Sequence, residues 1–261
     1  MDLNNIKVSV ITPTFNDEKY VLQALYSALN QTHTNLEIII VDDCSTDNTV
    51  QIIGTIKDAR IKLLKNDKNY GAAFSRNKAI SLASGEYIAF LDGDDFWDIT
   101  KIEKQLSFMV VNNYCFSCTE YYIVDENGKN AKKYVTGPKK ITHRLLLKNS
   151  YVGCLTAMYK KDIYPDLQIP NDIYKRNDYA LWLKLSEKTD CYYLFDKLAY
   201  YRKRNGDSVS SIKKVELIRF HKTMFLKLYN ISQVKACLLA YRNAFYYVIK
   251  RLFFVRGVKH K

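Results

Sequence analysis

Short apolar runs alternate with longer segments of helical spacing over the first 98 residues. The apolar runs are rich in β-branched residues and too short for helices, so they predict buried strands. These strands are expected at 7–12, 36–41, 61–64 and 87–91. Pro13 is expected to end the first strand, and Asn16 or Asp17 to cap the helix that follows. Strands alternating with helices indicate βαβ units, and therefore an α/β fold with a mostly parallel, Rossmann-like sheet flanked by helices.

Polar side chains follow three of the predicted strands. Thr12-Pro13-Thr14 closes the first strand, Asp42-Asp43 follows the second, and Asp92-Gly93-Asp94 follows the fourth. The ends of parallel strands meet at one edge of a sheet, which is where ligands bind. Neighbouring carboxylates suit Mg²⁺ or Mn²⁺, which take further ligands from water or a substrate phosphate. An isolated Asp-Gly-Asp is usually a surface turn, but the three clusters together favour a metal and phosphate site.

No glycine-rich phosphate motif accompanies these carboxylates. The chain contains neither GxGxxG nor GxxxxGK[ST], which argues against a dinucleotide fingerprint and against a P-loop. A divalent ion is therefore expected to supply much of the positive charge that holds a diphosphate.

The pattern after Trp97 is less regular. Another helix is expected to begin at Asn177-Asp178, with one of these residues near its N-cap. Capping is the simple interpretation of Asp178, and a catalytic carboxylate is the alternative. The remaining predicted elements are helices at 99–111 and 141–148 and strands at 115–124, 151–159 and 192–201.

The composition is that of a globular protein of 261 residues, with 48% hydrophobic and 26% charged residues. Its six cysteines are scattered, so no disulfide scaffold is expected and a reducing cytosol is the predicted compartment. Cys115 and Cys118 form a CxxC with no second pair, which favours two buried thiols over a zinc site. The start of the chain has no signal-peptide pattern, and no apolar run approaches the roughly 20 residues of a spanning helix.

The positive charge is concentrated at the C-terminus. Residues 213–261 hold twelve Lys/Arg and one acidic residue, a net charge of +11 out of a total of +13. Apolar residues recur there at steps of three and four, which predicts an amphipathic helix. The helix has two interpretations: packing on the preceding domain, or binding to an anionic membrane surface. We favour the membrane surface as partner. The apolar positions are Ile231, Val234, Leu238, Tyr241, Phe245, Val248, Leu252 and Val255.

Four motifs resemble those of family 2 glycosyltransferases with the GT-A fold, in the order and spacing of that family. The motifs are Val10–Asn16 (VITPTFN), Val41–Asp47 (VDDCSTD), Asn69–Asn77 (NYGAAFSRN) and Phe90–Asp95 (FLDGDD). Together they are a strong signal, and the resemblance covers about residues 6–212. It implies a GT-A catalytic domain over 1–212, with a nucleotide-sugar half at about 1–98 and an acceptor half at about 99–212. Residues 213–261 would be a basic helical extension.

The resemblance implies a nucleotide-sugar donor, most often linked to UDP. Thr12 and Phe15 would lie along the nucleoside, and Asp43 would accept a hydrogen bond from the uracil. Arg76 would face the base or the diphosphate. Asp92 would contact the ribose or the metal, which would be Mg²⁺ or Mn²⁺.

The resemblance also assigns the metal ligand and the catalytic base. Asp94 would bind the metal directly, and Asp178 would be the general base of an inverting transfer. Asn177 stands where the family usually has Glu, and Arg204 stands where His is common. Asp178 is still the expected base despite these departures. The roles that the Glu and the His have in the family are not carried over to Asn177 and Arg204. The family's closing element would end at Ser208-Val209-Ser210.

The expected function is transfer of a hexose or N-acetylhexosamine to a glycan or polyprenyl-diphosphate-linked acceptor in bacterial surface-polysaccharide synthesis. The protein would be cytoplasmic and peripheral on the inner face of the membrane. A sugar nucleotidyltransferase is an alternative, but it would need a glycine-rich basic loop after the first strand. A nucleic-acid-binding protein would fit the basic tail and 21 tyrosines. However, that charge is far in sequence from the acidic loops, so no nucleic-acid partner is expected.

Overall fold

The computed structural model describes residues 3–129, 132–204 and 214–258. The predicted Ser208–Ser210 element and the boundary between residues 212 and 213 lie outside these ranges. The described residues form one sheet of eleven strands with helices on both faces. The strands are β1 (Val8–Thr14), β2 (Leu36–Asp42), β3 (Ile61–Lys65), β4 (Tyr87–Phe90), β5 (Phe96–Trp97), β6 (Phe116–Val124), β7 (Lys133–Val135), β8 (Lys140–Ile141), β9 (Met158–Lys160), β10 (Cys191–Arg202) and β11 (Val255–Gly257). The α-helices are α1 (Val21–Leu29), α2 (Thr49–Thr55), α3 (Ala72–Leu82), α4 (Lys101–Val111), α5 (His143–Leu146), α6 (Asn177–Ser186), α7 (Lys214–Leu228) and α8 (Gln233–Phe254).

The first half of the chain forms the predicted parallel sheet. Its strand order is β3-β2-β1-β4, and β1 pairs with β2 from Val8 opposite Leu36 to Thr14 opposite Asp42. All residues of β1 and β2 are buried. Helices cover both faces of such a sheet, which explains why these strands read as continuous apolar runs rather than as alternating ones.

Pro13 does not end β1, contrary to the prediction. The strand continues to Thr14, with Pro13 opposite Val41 of β2. Pairing on the other side, with β4, stops at Ile11 opposite Phe90. Ile11 accepts a hydrogen bond from that side, and Pro13, two residues on, faces the same way. Its missing N–H therefore breaks no ladder bond.

The second half of the sheet is mixed. β9 pairs antiparallel with β4 and β6, whereas β10 runs parallel to β6. The predicted strand at 151–159 is wrong over most of its length, because residues Cys154–Thr156 form a 3₁₀ turn and only Met158–Lys160 form a strand. The Thr156 hydroxyl donates to the Gly153 carbonyl at 2.8 Å. Such local bonds compete with strand pairing.

The helices α7 and α8 pack onto one of the two apolar cores. Met224, Phe225 and Ala236 join the core that contains Trp182 of α6 and Phe90 of β4. Among the described residues, no helix is long and apolar enough to cross a membrane.

Gly85, just before β4, provides a test of how closely the chain packs against the start of β1. A Cβ on Gly85 would lie 2.7 Å from the Ser9 nitrogen and 2.8 Å from the Lys7 carbonyl oxygen, both backbone atoms. Gly85→Ala is therefore expected to lower the free energy of unfolding by about 1–3 kcal/mol, the usual cost of overpacking. Urea denaturation of the two proteins measures it.

Gly54, in α2, is the matched control. A Cβ there would meet nothing within 4 Å, and alanine has the higher helix propensity. Gly54→Ala should leave the stability unchanged or raise it by up to about 1 kcal/mol. Equal unfolding midpoints for the two variants would contradict the packing argument.

Candidate active site

The loops at the carboxyl edge of the sheet adopt costly backbone conformations. Asn16 after β1, Cys44 after β2 and Arg176 before α6 have φ angles of 55°, 64° and 61°. Left-handed conformations are unfavourable for residues other than glycine, and they concentrate at functional sites. The surrounding contacts therefore hold these three loops in a defined arrangement.

Asp43 is enclosed by the loop before α3. Its carboxylate accepts hydrogen bonds from the Tyr70 and Gly71 backbone N–H groups at 3.0 and 2.7 Å. The Asn66 side chain donates a third at 2.9 Å. These bonds fix both carboxylate oxygens: Oδ1 accepts from Tyr70 and Asn66, whereas Oδ2 accepts only from Gly71 and keeps a second lone pair for a ligand. The predicted contact with a uracil is compatible with this geometry.

The two residues that were predicted to lie along the nucleoside differ in solvent exposure. Thr12 is fully buried in β1, and its hydroxyl has no hydrogen-bond partner. The ring of Phe15 is 42% exposed just beyond the end of β1. Phe15 can therefore contact a base directly, while Thr12 lies beneath the surface of the site.

Arg76 is a buried cation that joins the loop after β4 to the start of α6. Its Nη2 donates to Asp92 Oδ1, and its Nη1 donates to Asn177 Oδ1. Burial alone would lower the pKa of Arg76, but the nearby charges of Asp92 and Asp178 raise it well above its usual value. The guanidinium stays charged and links the predicted donor carboxylates to the predicted catalytic helix.

Asp178 lies in the first turn of α6, half-buried at the same edge of the sheet. The helix begins at Asn177 as predicted, and both residues lie next to its N-cap residue, Arg176. Asp178 is therefore not the capping residue of the helix. The side chain of Asn177 accepts a hydrogen bond from Arg76.

Asp17 is a residue of this cluster that was not predicted from the sequence. It was expected to cap the first helix, but α1 begins at Val21 and its N-cap is Tyr20. Asp17 Oδ2 accepts the Phe15 N–H at 3.2 Å and lies where a Cβ on Gly93 would be only 2.6 Å away. This close approach requires glycine between the two aspartates of the Asp-Gly-Asp motif.

Arg204 neutralises part of this acidic cluster. Its Nη1 lies 3.1 Å from Asp17 Oδ1 and 3.4 Å from Asp94 Oδ2. Burial raises the pKa of Asp94, the charge of Asp92 raises it further, and Arg204 opposes both effects. The position at which histidine is common in the family therefore carries a cation that does not titrate near neutral pH.

Arg202 and Asp95 fix the backbone around Asp94. Asp95 Oδ1 accepts the Arg202 backbone N–H at 2.8 Å, and Arg202 Nε donates to the Asp94 carbonyl oxygen at 2.7 Å. These bonds tie the end of β10 to the Asp-Gly-Asp loop. Asp95 therefore has a structural role, which the sequence left open.

The carboxylates fit a divalent metal that is shared with a substrate. Asp92 lies close enough to Asp94 to raise its pKa, and a cation between them would relieve this repulsion. Among residues 3–129, 132–204 and 214–258, no three His, Cys, Asp or Glu side chains are placed to hold a metal. A metal here would have to complete its shell with water and substrate oxygens, which Mg²⁺ and Mn²⁺ commonly do.

The family is established by comparison with known proteins. The sequence model of Glycosyl transferase family 2 matches residues 9–167, and the chain belongs to this family. It is 43% identical over 209 residues to the putative teichuronic acid biosynthesis glycosyltransferase TuaG of Bacillus subtilis, covering 79% of this chain and 82% of that protein. It is 37% identical over 222 residues to WfgD of Escherichia coli, a UDP-Glc:α-D-GlcNAc-diphosphoundecaprenol β-1,3-glucosyltransferase, covering 83% and 85% of the two chains. The chain is thus a glycosyltransferase, and the resemblance seen in its motifs is confirmed.

Solved structures confirm the GT-A fold. The crystal structure of Staphylococcus aureus TarS residues 1–349 in complex with UDP superposes with a TM-score of 0.71 at 20% identity, covering 95% of this chain and 74% of that one. The mannosyltransferase PcManGT of Pyrobaculum calidifontis, in complex with GDP-Man and Mn²⁺, superposes with a TM-score of 0.62 at 16% identity, covering 94% and 71%. At these identities the likeness establishes the fold alone.

The buried carboxylate of Asp17 predicts a pH-dependent stability. Burial, and next the charge of Asp94, raise its pKa to about 7. An aspartate whose pKa is raised on folding destabilises the folded protein as the pH rises from about 4 to about 7. Asp17→Asn removes this effect. We therefore expect the gain in melting temperature of Asp17→Asn over the unsubstituted protein to be larger at pH 8 than at pH 5.

The melting temperatures are to be measured without metal or nucleotide, since either would change the charge around Asp17. Asp166→Asn, at an exposed position, is the control for a general effect of removing one carboxylate. An equal gain for Asp17→Asn at both pH values would show that the carboxyl is not buried against Asp94 as described.

Proposed function

We propose that this glycosyltransferase moves a hexose or N-acetylhexosamine from a UDP-sugar, with inversion, to a polyprenyl-diphosphate-linked glycan in the synthesis of a bacterial surface polysaccharide. The observation that carries the proposal is the contact of Arg76 with both Asp92 and Asn177. This contact holds the loop after β4 and the start of α6, which carries Asp178, together at one edge of the sheet. The UDP-Glc donor and lipid-linked acceptor of WfgD support the choice of substrates.

The donor would lie across the ends of β1, β2 and β4. Phe15 offers an exposed ring to the base, and Asp43 is held by three hydrogen bonds in a position to accept one from a uracil. Arg76 and Arg204 place two guanidinium groups beside Asp92 and Asp94. A diphosphate entering this cluster would find fixed positive charge on two sides.

Asp94, with Asp92, would hold a divalent metal together with the diphosphate oxygens. When bound, Mg²⁺ or Mn²⁺ stabilises the negative charge that develops on the leaving nucleoside diphosphate. Arg204 contributes to the same charge balance through its contact with Asp94.

Asp178 would act as the general base. It would accept the proton of the acceptor hydroxyl as that oxygen attacks the anomeric carbon from the face opposite the UDP leaving group. The bond from the anomeric carbon to the diphosphate oxygen breaks in the same displacement, so the sugar is inverted and no protein nucleophile is needed. Proton transfer to a positioned carboxylate contributes about 10²–10⁴-fold to the rate.

A lipid-linked acceptor would place the enzyme at the cytoplasmic face of the membrane as a peripheral protein. The basic segment 213–261 is the part of the chain whose net charge of +11 suits an anionic surface. We propose no nucleic-acid partner, because the carboxylates of the site would repel nucleic-acid phosphates that arrive without a metal.

Asp178→Asn tests the assignment of the base. The amide cannot accept the proton, so the transfer rate is expected to fall by about 10²–10⁴-fold while UDP binding is retained. Transfer is followed as product formation, and UDP binding by calorimetry. The exposed Asp166→Asn is the control and should transfer at the unsubstituted rate. Near-normal transfer by Asp178→Asn would remove Asp178 as the base.

A panel of UDP-sugars tests the donor and the metal together. With Mn²⁺ or Mg²⁺ present, UDP release is expected from one or a few UDP-hexoses or UDP-N-acetylhexosamines. Excess chelator should abolish it, because Asp92 and Asp94 then have no cation to share with the diphosphate. Full turnover in chelator would overturn the metal assignment, and release from no UDP-sugar would overturn the donor.

A further inference from the structure

The helix α8 turns its large apolar side chains outward. Six of them, separated by steps of three and four residues, lie along one face, which we name the α8 stripe. They are Val234, Leu238, Tyr241, Phe245, Val248 and Leu252, with exposed fractions of 70, 67, 64, 64, 49 and 73%. The stripe is about 27 Å long at 1.5 Å per residue. A continuous apolar surface of this size on a protein usually marks a binding site.

The opposite face of α8 packs on the preceding domain, with Leu239 and Phe254 partly buried against the core, and its fully buried residues are small or polar. Ala236, Ala240 and Asn243 are buried there. Asn243 Nδ2 donates to the Tyr179 hydroxyl at 2.8 Å, and Asn149 Nδ2 donates to the Asn243 carbonyl oxygen at 3.0 Å. Rotating α8 to bury the stripe would break these buried hydrogen bonds, which is costly. The outward orientation is therefore built into the fold.

The charged residues of α8 all have one sign. Lys235, Arg242 and Arg251 of α8 are exposed, and the helix contains no acidic residue. Lys235 and Arg242 flank the stripe on one side and Arg251 on the other, given 100° per residue. Basic residues beside an apolar helical face are the signature of a helix that lies in an anionic membrane interface.

We infer that the α8 stripe is a membrane-docking surface, which inserts its apolar side chains at the level of the headgroups while the flanking cations contact anionic lipid. A second copy of the chain is a poorer occupant, because two α8 helices packed through this face would bring identical uncompensated cations together. The inference adds to the proposed function the surface by which the enzyme meets a lipid-linked acceptor. It rests on that function only for the identity of the acceptor.

The position of α8 connects this surface to the candidate base. Asn243, at the middle of α8, is hydrogen-bonded to Tyr179, and Tyr179 follows Asp178 in α6. Packed helices lie about 8–10 Å apart. A bilayer on the outer face of α8 would thus lie about one helix diameter from the helix that carries Asp178, which suits an acceptor whose sugar emerges from the membrane surface.

Sedimentation of the full chain with lipid vesicles tests the inference. The unsubstituted protein should bind vesicles of phosphatidylcholine with about 30% phosphatidylglycerol, and should bind pure phosphatidylcholine more weakly. The double variant Leu238→Ser/Phe245→Ser should bind the anionic vesicles at least about tenfold more weakly. Lys235→Gln/Arg251→Gln should lose about tenfold or more on anionic vesicles and little on neutral ones.

Leu22→Ser/Tyr26→Ser is the matched control, since these two apolar side chains of α1 are 40 and 48% exposed on another surface. It should bind vesicles like the unsubstituted protein. All variants replace exposed residues and should bind UDP unchanged, which shows that they are folded. Vesicle binding is measured without donor or acceptor, so its result is independent of the transfer assay.

Three outcomes would overturn the inference. One is that the stripe variant sediments with anionic vesicles as well as the unsubstituted protein does, and another is that the unsubstituted protein binds neutral and anionic vesicles equally. The third is that the unsubstituted protein is a dimer without lipid and the stripe variant is a monomer, which would make a second copy the occupant of the stripe.

Discussion

The guanidinium of Arg76 balances the carboxylates on which the site depends. It is buried, and it contacts Asp92 in the loop after β4 and Asn177 at the start of α6. Without such a cation, neighbouring aspartates at the edge of the sheet would take up protons more readily. Because one side chain makes both contacts, the spacing between the loop after β4 and the start of α6 is set by the length of one guanidinium.

Arg204 extends this balance to Asp17 and Asp94, at the position where the family commonly has histidine. A histidine there would change charge near neutral pH, whereas an arginine remains charged. The fixed charge matches a neighbourhood in which burial and Asp94 raise the pKa of Asp17 to about 7. Asp17 and Arg204 are therefore one electrostatic unit, although 187 residues separate them in the chain.

The sequence was sufficient for the parallel half of the sheet and for the family, because continuous apolar strands and four spaced motifs are local signals. It was insufficient where contacts between residues far apart in the chain fix the local conformation. The side chains of Asn16 and Asp17 look like helix caps, but the first accepts a hydrogen bond from the Thr46 N–H and the second faces Gly93. The predicted strand at 151–159 failed because a Thr156 hydroxyl bond closes a turn. No periodicity reveals partners of this kind. The pairing of Asp17 with Arg204 likewise has no signature in residue spacing.

The way α8 ends has a consequence for the acceptor. The helix runs directly into β11, which pairs with β7, and the Thr136 N–H donates to the Phe254 carbonyl oxygen at 2.9 Å. At the middle of the helix Asn243 donates to the Tyr179 hydroxyl of α6. A helix that is held to the domain at its middle and at its C-terminal end cannot swing as an arm. If it rests on a bilayer, the candidate base Asp178 stands at one fixed height above the lipid. The enzyme would then reach acceptor sugars close to the lipid diphosphate, and would not reach sugars added later to a growing chain.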